Sequence, residues 1–309
     1  MSVTTLAPTE RTHAVSTDDG VTLAVRETGP ATADLTVVLL HGHCLRTDSW
    51  TFVGTQLTRS HRDIRVVAYD HRGHGASGTA AASTYTLERL AHDLHAVLDA
   101  VAPGGRVVLV GHSMGGMVAL TYARLYPHEI GTRTVGVALV SSSAGGIADT
   151  GLGRLLHNPA VAWFQSAVRS APGAMHRAKL LGCRVFAPAI RAIEFGDRRV
   201  SPRVLALAAA MRNETPIVTM AAFLSAFQTY DESATLSALD GVPTLVLCGS
   251  ADLMTPISHS VAVAAEVAGA ELVMVDGAGH AVILEQPQEV AAALSRLLRR
   301  IDVRYDEAA

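Results

Sequence analysis

Apolar residues along this 309-residue chain fall into two rhythms. Near the start, short alternating stretches at Thr12–Ser16 and Val21–Arg26 flank Asp18-Asp19-Gly20, and Asp-Gly between such stretches predicts a β-hairpin. Beyond it, compact β-branched runs recur at Leu35–Leu40, Ile64–Tyr69, Arg106–Val110, Val135–Val140, Pro243–Cys248 and Glu271–Val275. Nearly every residue in these runs is apolar, which predicts strands buried on both faces of a mostly parallel sheet. Helical patterns lie between most of them. Leu87–Val101 carries Leu87, Leu90, Leu94, Val97, Leu98 and Val101 on one face. Ser113–Tyr126 is helical and stops before Pro127, and Ile257–Val267 and Pro287–Arg299 are further helices. Alternating strand and helix behind a hairpin predicts an α/β fold, a doubly wound sheet of about eight strands.

One interval breaks this rhythm. Residues 144–239 show no strand pattern, only helical segments cut by Pro159, Pro172, Pro188, Pro202 and Pro216. A crossover between parallel strands needs only about a dozen residues, so the surplus predicts a helical cap inserted over one end of the sheet. The expected organisation is a core of residues 12–143 and 240–301, a cap of residues 144–239, and flexible ends at 1–11 and 302–309.

Composition narrows the partners. Apolar residues make up 49% and charged residues 17%, ample for a buried core, and the net charge is −3 with no basic block in view. Nucleic acid and anionic membrane surfaces are therefore poor expected partners. Cys44, Cys183 and Cys248 are few, odd in number and far apart, which fits a reducing compartment rather than a disulfide framework. No apolar run approaches the ~20 residues of a membrane span, and the first twenty residues lack a secretory apolar core. The expected location is the cytoplasm.

The chemistry concentrates after strand ends. Gly111-His112-Ser113-Met114-Gly115 directly follows the run Arg106–Val110 and opens a helix; this strand–turn–helix setting exposes a nucleophilic serine on a sharp turn. Bulky side chains two residues either side would collide, so glycines stand there. The helix N-terminus then offers free N–H groups, that of Met114 included, to developing negative charge. A serine hydroxyl needs a base. His280 lies on the loop Asp276-Gly277-Ala278-Gly279-His280 after the last buried run, at the strand end where sites form in open sheets. The acid is read as Asp252, just past Pro243–Cys248; a buried carboxylate there would fix the imidazole tautomer. Asp276 competes but more naturally ends its strand, and Asp240 lies at the opposite end of the sheet. His41-Gly42-His43 follows Leu35–Leu40, so the backbone N–H of His43 is the second oxyanion donor beside Met114. The pairs His41/His43, His71/His74 and His92/His95 invite a metal reading, yet no further ligands complete a set and no H-E-x-x-H occurs. No metal and no cofactor are expected.

His41-Gly42, Asp70-His71-Arg72-Gly73-His74-Gly75-Ala76-Ser77, Gly111-His112-Ser113-Met114-Gly115-Gly116, Asp252 with Thr255-Pro256, and Gly279-His280 together resemble the α/β-hydrolase superfamily. The resemblance runs from about residue 20 to 300, apart from the cap. It implies the α/β-hydrolase fold, an eight-stranded mostly parallel sheet with a variable lid. It also implies a Ser113–Asp252–His280 triad with oxyanion amides at His43 and Met114. In that family the Asp70–Ser77 turn is structural, held by its own hydrogen bonds.

The reaction expected is hydrolysis of a small carboxylic ester with an apolar acyl part. Trp163, Phe164, Phe223 and Phe227 in the cap and Leu253 beside Asp252 are the candidate pocket residues. Serine at 113 argues against the aspartate-nucleophile chemistry of epoxide opening and dehalogenation. The same triad leaves open C–C bond hydrolysis, thioester or amide hydrolysis and a perhydrolase side activity. A catalytically silent small-ligand binding protein is the contrasting class.

Overall fold

All the apolar runs pair into one eight-stranded sheet, in the order β1-β2-β4-β3-β5-β6-β7-β8. In this computed structural model, residues 10–196 and 199–306 are described. The strands are β1 Glu10–Ser16, β2 Thr22–Thr28, β3 Leu35–Leu40, β4 Arg65–Tyr69, β5 Arg106–His112, β6 Thr134–Val140, β7 Thr244–Gly249 and β8 Glu271–Val275. The front hairpin closes with Ser16 opposite Thr22, and Gly20 takes the left-handed turn conformation at φ 81°. β2 runs antiparallel to β4, and every pairing from β4 through β8 is parallel.

The helices are α1 Thr51–Ser60, α2 Leu87–Val101, α3 Met114–Leu125, α4 Pro159–Ser170, α5 Pro172–Val185, α6 Ala187–Glu194, α7 Pro202–Glu214, α8 Ile217–Thr229, α9 Ile257–Glu266, α10 Val282–Glu285 and α11 Pro287–Asp306. One apolar layer joins α2, α3 and α9 to one face of the sheet. A second joins α1 and α11 to the other. β3, β6 and β7 are buried at every residue, because both faces are covered. β8 departs from the expected two-faced burial. It is the edge strand, and Leu272 and Met274, two apart on one face, remain 40% and 54% exposed.

Between β6 and β7 the described chain forms 3-10 turns and the five helices α4 to α8. The two ends of this insert are tied by an isolated bridge between Gly145 and Asp231 and by the Glu232 N–H donating to Ala144 O. The insert also enters both core layers. Phe223 of α8 packs with the α2–α3 layer, while Phe195 and Met211 join the α1–α11 layer. Of the ends expected to be flexible, residues 1–9 and 307–309 lie outside the described residues. Glu10 and Arg11 instead belong to β1, and α11 continues to Asp306.

Candidate active site

Ser113 stands between the last residue of β5 and the first of α3, at φ 53° and ψ −118°. That is unfavourable backbone for a non-glycine residue, costing roughly 1–3 kcal/mol, and such strain persists only where the surroundings enforce it. Here they do. A Cβ at Gly111 would meet Gly116 N at 2.3 Å, and one at Gly115 would meet Leu40 O at 2.2 Å. The Ser113 N–H donates to Val140 O at 2.9 Å, and Ser142 Oγ donates to Ser113 O at 2.8 Å. The other non-glycine residues with positive φ, Cys44 and Ser141, follow β3 and β6. Among the described residues, backbone strain outside glycine is thus confined to the loops that surround Ser113.

A continuous relay leads away from the serine. His280 Nε2 lies 2.9 Å from Ser113 Oγ, and His280 Nδ1 lies 2.9 Å from Asp252 Oδ2 and 3.1 Å from Oδ1. Asp252 also accepts from the Met254 N–H at 2.8 Å, the Thr255 N–H at 2.9 Å and Thr255 Oγ1 at 2.8 Å. Both His280 and Asp252 are buried. Burial alone would push the Asp252 carboxyl up, but His280 and the Thr255 donors hold it below the usual carboxylate value. Burial likewise pushes His280 down, and the Asp252 charge and hydrogen bond overcome it, so its pKa is raised above 6.5. Neutral His280 then donates from Nδ1 and presents a lone pair at Nε2 to Ser113. Asp276 accepts instead from Ser250 Oγ near the surface, and Asp240 from the Ala268 N–H, so neither belongs to the relay.

The loop after β3 lies against the serine: a Cβ at Gly42 would come 3.2 Å from Ser113 Cβ. The Asp70–Ser77 turn holds that loop in place. His41 Nε2 accepts the His71 N–H at 2.9 Å, and His74 Nε2 accepts the Cys44 N–H at 3.2 Å. Asp70 accepts from Thr47 N–H and Ala76 N–H, while Arg72 is fully buried between Asp93 and Asp19. Accepting at Nε2 requires neutral imidazoles. Burial supplies that by lowering His41 to about 4 and His74 to about 3. Among the described residues the N–H groups of His43 and Met114 donate to no acceptor in the protein.

Three supports of the His280 loop were invisible in the sequence. His112 Nε2 donates to His280 O at 2.9 Å. Glu285 Oε1 accepts the Gly279 N–H at 2.6 Å, and its Oε2 accepts the Gly196 N–H of the insert at 3.0 Å. Glu194 O accepts the Ala281 N–H at 2.8 Å. The insert therefore grips the loop on both sides of His280. Nothing local in sequence signals it, because Glu194 and Gly196 lie eighty or more residues upstream of the loop.

The five pocket candidates separate. Phe223 and Phe227 stack edge-on against His43, with ring centroids 5.6 and 5.4 Å away; Phe223 is fully buried and Phe227 half-buried. Leu253 is half-exposed beside Asp252. The structure does not bring Trp163 to the site: it projects into solvent, 72% exposed. Phe164, one residue on and so about 100° around α4, packs against Val168, Ile217 and Ala221 instead. Among the described residues no group of three or more His, Cys, Asp or Glu could hold a metal ion.

Known proteins share this architecture. The chain is 29% identical over 259 residues to a putative carbamate hydrolase, RutD, of Rhizobium rhizogenes, covering 83% of this chain and 91% of that one. A thermophilic esterase from Thermogutta terrifontis superposes with a TM-score of 0.71 at 27% identity, over 94% of this chain and 99% of its own. A hydrolase from Pseudomonas aeruginosa PA01 gives 0.72 at 28% identity, over 93% and 98%. Residues 37–293 match the Alpha/beta hydrolase family, and with the sheet order and the serine turn described above the chain belongs to that family.

Proposed function

We propose that this hydrolase is a serine esterase acting through an acyl-enzyme on Ser113. The observation that carries the reading is the buried relay from Ser113 Oγ through His280 to Asp252, with both contacts of His280 at 2.9 Å. Ser113 Oγ attacks the acyl carbon while His280 Nε2 takes its proton. Asp252 keeps the other nitrogen protonated and stabilises the imidazolium. The N–H groups of Met114 and His43 hold the tetrahedral oxyanion. Collapse returns the proton from Nε2 to the departing alkoxide, and water attacks the acyl-enzyme by the same route, regenerating Ser113. The half-buried Phe227, with Phe223 behind it and His43 beside it, forms the acyl wall. Each methylene placed against such a wall contributes roughly 0.8 kcal/mol.

A second reading rests on the similarity to a putative carbamate hydrolase. A carbamate carbonyl could occupy the same position and leave a carbamoyl-enzyme on the same serine. One panel tests both: p-nitrophenyl esters of graded acyl length beside a matched carbamate, thioester and anilide. The esterase reading predicts the esters as preferred substrates, with kcat/KM rising along the series until the wall ends. Preference for the carbamate would establish the second reading, and turnover of none of them by folded protein would defeat both.

A further inference from the structure

Charge is divided unevenly between the insert and the rest of the molecule. From the 3-10 turn at Gly151–His157 through α7, residues 151–214 hold ten of the 25 Lys and Arg but only three of the 28 Asp and Glu. The remainder carries fifteen cations against 25 anions. A net charge of −3 for the whole chain hides this separation, and so does the spacing of the cations, which form no contiguous basic block; the sequence expectation that an anionic surface is a poor partner rested on both.

The exposed side of α4 and α5 combines the cations with apolar side chains. α5 has no buried residue. Arg177, Leu181, Arg184 and Val185 fall at i, i+4, i+7 and i+8, one stripe of that helix, and all four are exposed. Leu181, Val185 and Phe186, with Trp163 on the adjoining α4, are 62–72% exposed. Arg169, Arg177, Arg184 and Arg203 make no ion pair among the described residues, so their charge is not cancelled locally.

We propose that the α4–α5 face of the insert docks on an anionic lipid bilayer. Exposed aliphatic and aromatic side chains among arginines are the composition that enters the headgroup region. The apolar groups bury there while the cations meet the negative surface potential, and a tryptophan favours that depth. Nucleic acid fits less well: Trp163 and Phe186 can stack on bases, but Leu181 and Val185 on the same face cannot, whereas a headgroup region buries all four, and the rest of the molecule would repel a long polyanion. A second copy fits less well because joining two such faces sets like charges together. Among the described residues no helix is long and apolar enough to cross a membrane, so the attachment is peripheral. The proposal does not depend on the ester chemistry.

The test is co-sedimentation of the full chain with vesicles of phosphatidylcholine alone or with about a third phosphatidylglycerol, at roughly 0.1 M and 1 M salt, where screening lengths are about 10 and 3 Å. Binding to the anionic vesicles should exceed that to neutral ones by at least about tenfold at low salt and collapse at high salt. The double variant Arg177→Glu/Arg184→Glu should lose that binding while keeping its turnover in solution. Leu181→Ser/Phe186→Ser should weaken it through the apolar part. Equal sedimentation with both vesicle types, or undiminished binding by both variants, overturns the proposal. So does retention of duplex DNA in place of vesicles, or a dimer in sedimentation equilibrium that the charge reversal dissolves.

Discussion

Replacing Asp252 with asparagine changes one atom and should reverse the direction of the whole relay. Two backbone donors, the Met254 and Thr255 N–H groups, converge on Oδ1 at 2.8 and 2.9 Å. The amide oxygen must occupy that position, which puts the NH2 group at Oδ2. There it faces His280 Nδ1 at 2.9 Å as a donor. Nδ1 becomes the acceptor, the imidazole proton moves to Nε2, and an N–H now points at Ser113 Oγ across 2.9 Å. A base in the wrong tautomer cannot take the serine proton. The corresponding change in a serine-protease triad lowers kcat about 10⁴-fold, or about 5.4 kcal/mol at about 1.36 kcal/mol per decade. A second signature follows from charge. With Asp252 ionised, His280 titrates above 6.5, so the acid limb of kcat/KM should lie above that value and activity should fall as pH drops through it. Without the carboxylate only the Glu194 charge still favours the imidazolium, burial opposes it more strongly, and the residual limb should move to lower pH. Both are read from kcat/KM against pH with p-nitrophenyl acetate, on protein shown to be folded by circular dichroism. A loss under about tenfold, or a limb that stays where it was, refutes the reasoning.

Gly196→Ala should slow turnover from a distance, since the new Cβ would fall 2.2 Å from Gly277 O and 2.8 Å from Ala278 C, displacing the His280 loop. We expect kcat to drop at least about tenfold, since a misplacement of about 1 Å can cost ~10²-fold; KM should change less, and an unchanged kcat would show that the insert does not position the loop. Phe223→Ala should destabilise the fold by about 3–5 kcal/mol, measured by urea unfolding, because Phe223 is fully buried between Tyr85, His74 and Phe227; a cost below about 1 kcal/mol would contradict its place in the core. Acid should unfold the protein through its buried histidines. His41, His74 and His112 are held at about 4, 3 and 3 and return to about 6.5 when unfolded. The unfolded state therefore binds more protons in that window, and stability falls as pH drops below about 6.5, by up to roughly 1.4 kcal/mol per pH unit for each. His280 runs the other way: its contribution is present below 6.5 and lost as pH rises through its raised folded value. Equal unfolding free energies at pH 7 and 5 would refute the neutral assignment.

The sheet was legible because its strands are buried runs and their hydrophobicity is continuous, as in β3 and β6. β8 misled in the same terms. Its run Glu271–Val275 reads like the others, but burial depends on what covers an edge, which no local pattern records. α1 went unread because Thr51–Ser60 places only Val53, Leu57 and Thr58 in the interior, too thin a stripe to separate from loop. Ser113, His280 and Asp252 could be located because each follows a strand end whose position the strands dictate. Their supports could not: His112 sits inside the serine motif as an unspecified residue, and Glu194, Gly196 and Glu285 meet only through the tertiary fold. Trp163 and Phe164 show the limit of composition. Both are apolar and adjacent, yet on a helix neighbours point apart, so one faces solvent and the other a helix interface.

Ser113 as the nucleophile is tested most directly by the mass of the intact protein after reaction with a fluorophosphonate, followed by peptide mapping. Unassisted serine hydroxyls are unreactive toward such a probe, and only one hydrogen-bonded to a base beside free N–H donors is activated. A single adduct is expected on the peptide that contains Ser113, with loss of ester turnover in step with labelling and no adduct on folded Ser113→Ala protein. Labelling at another residue, or full ester turnover by protein modified completely at Ser113, would contradict that assignment.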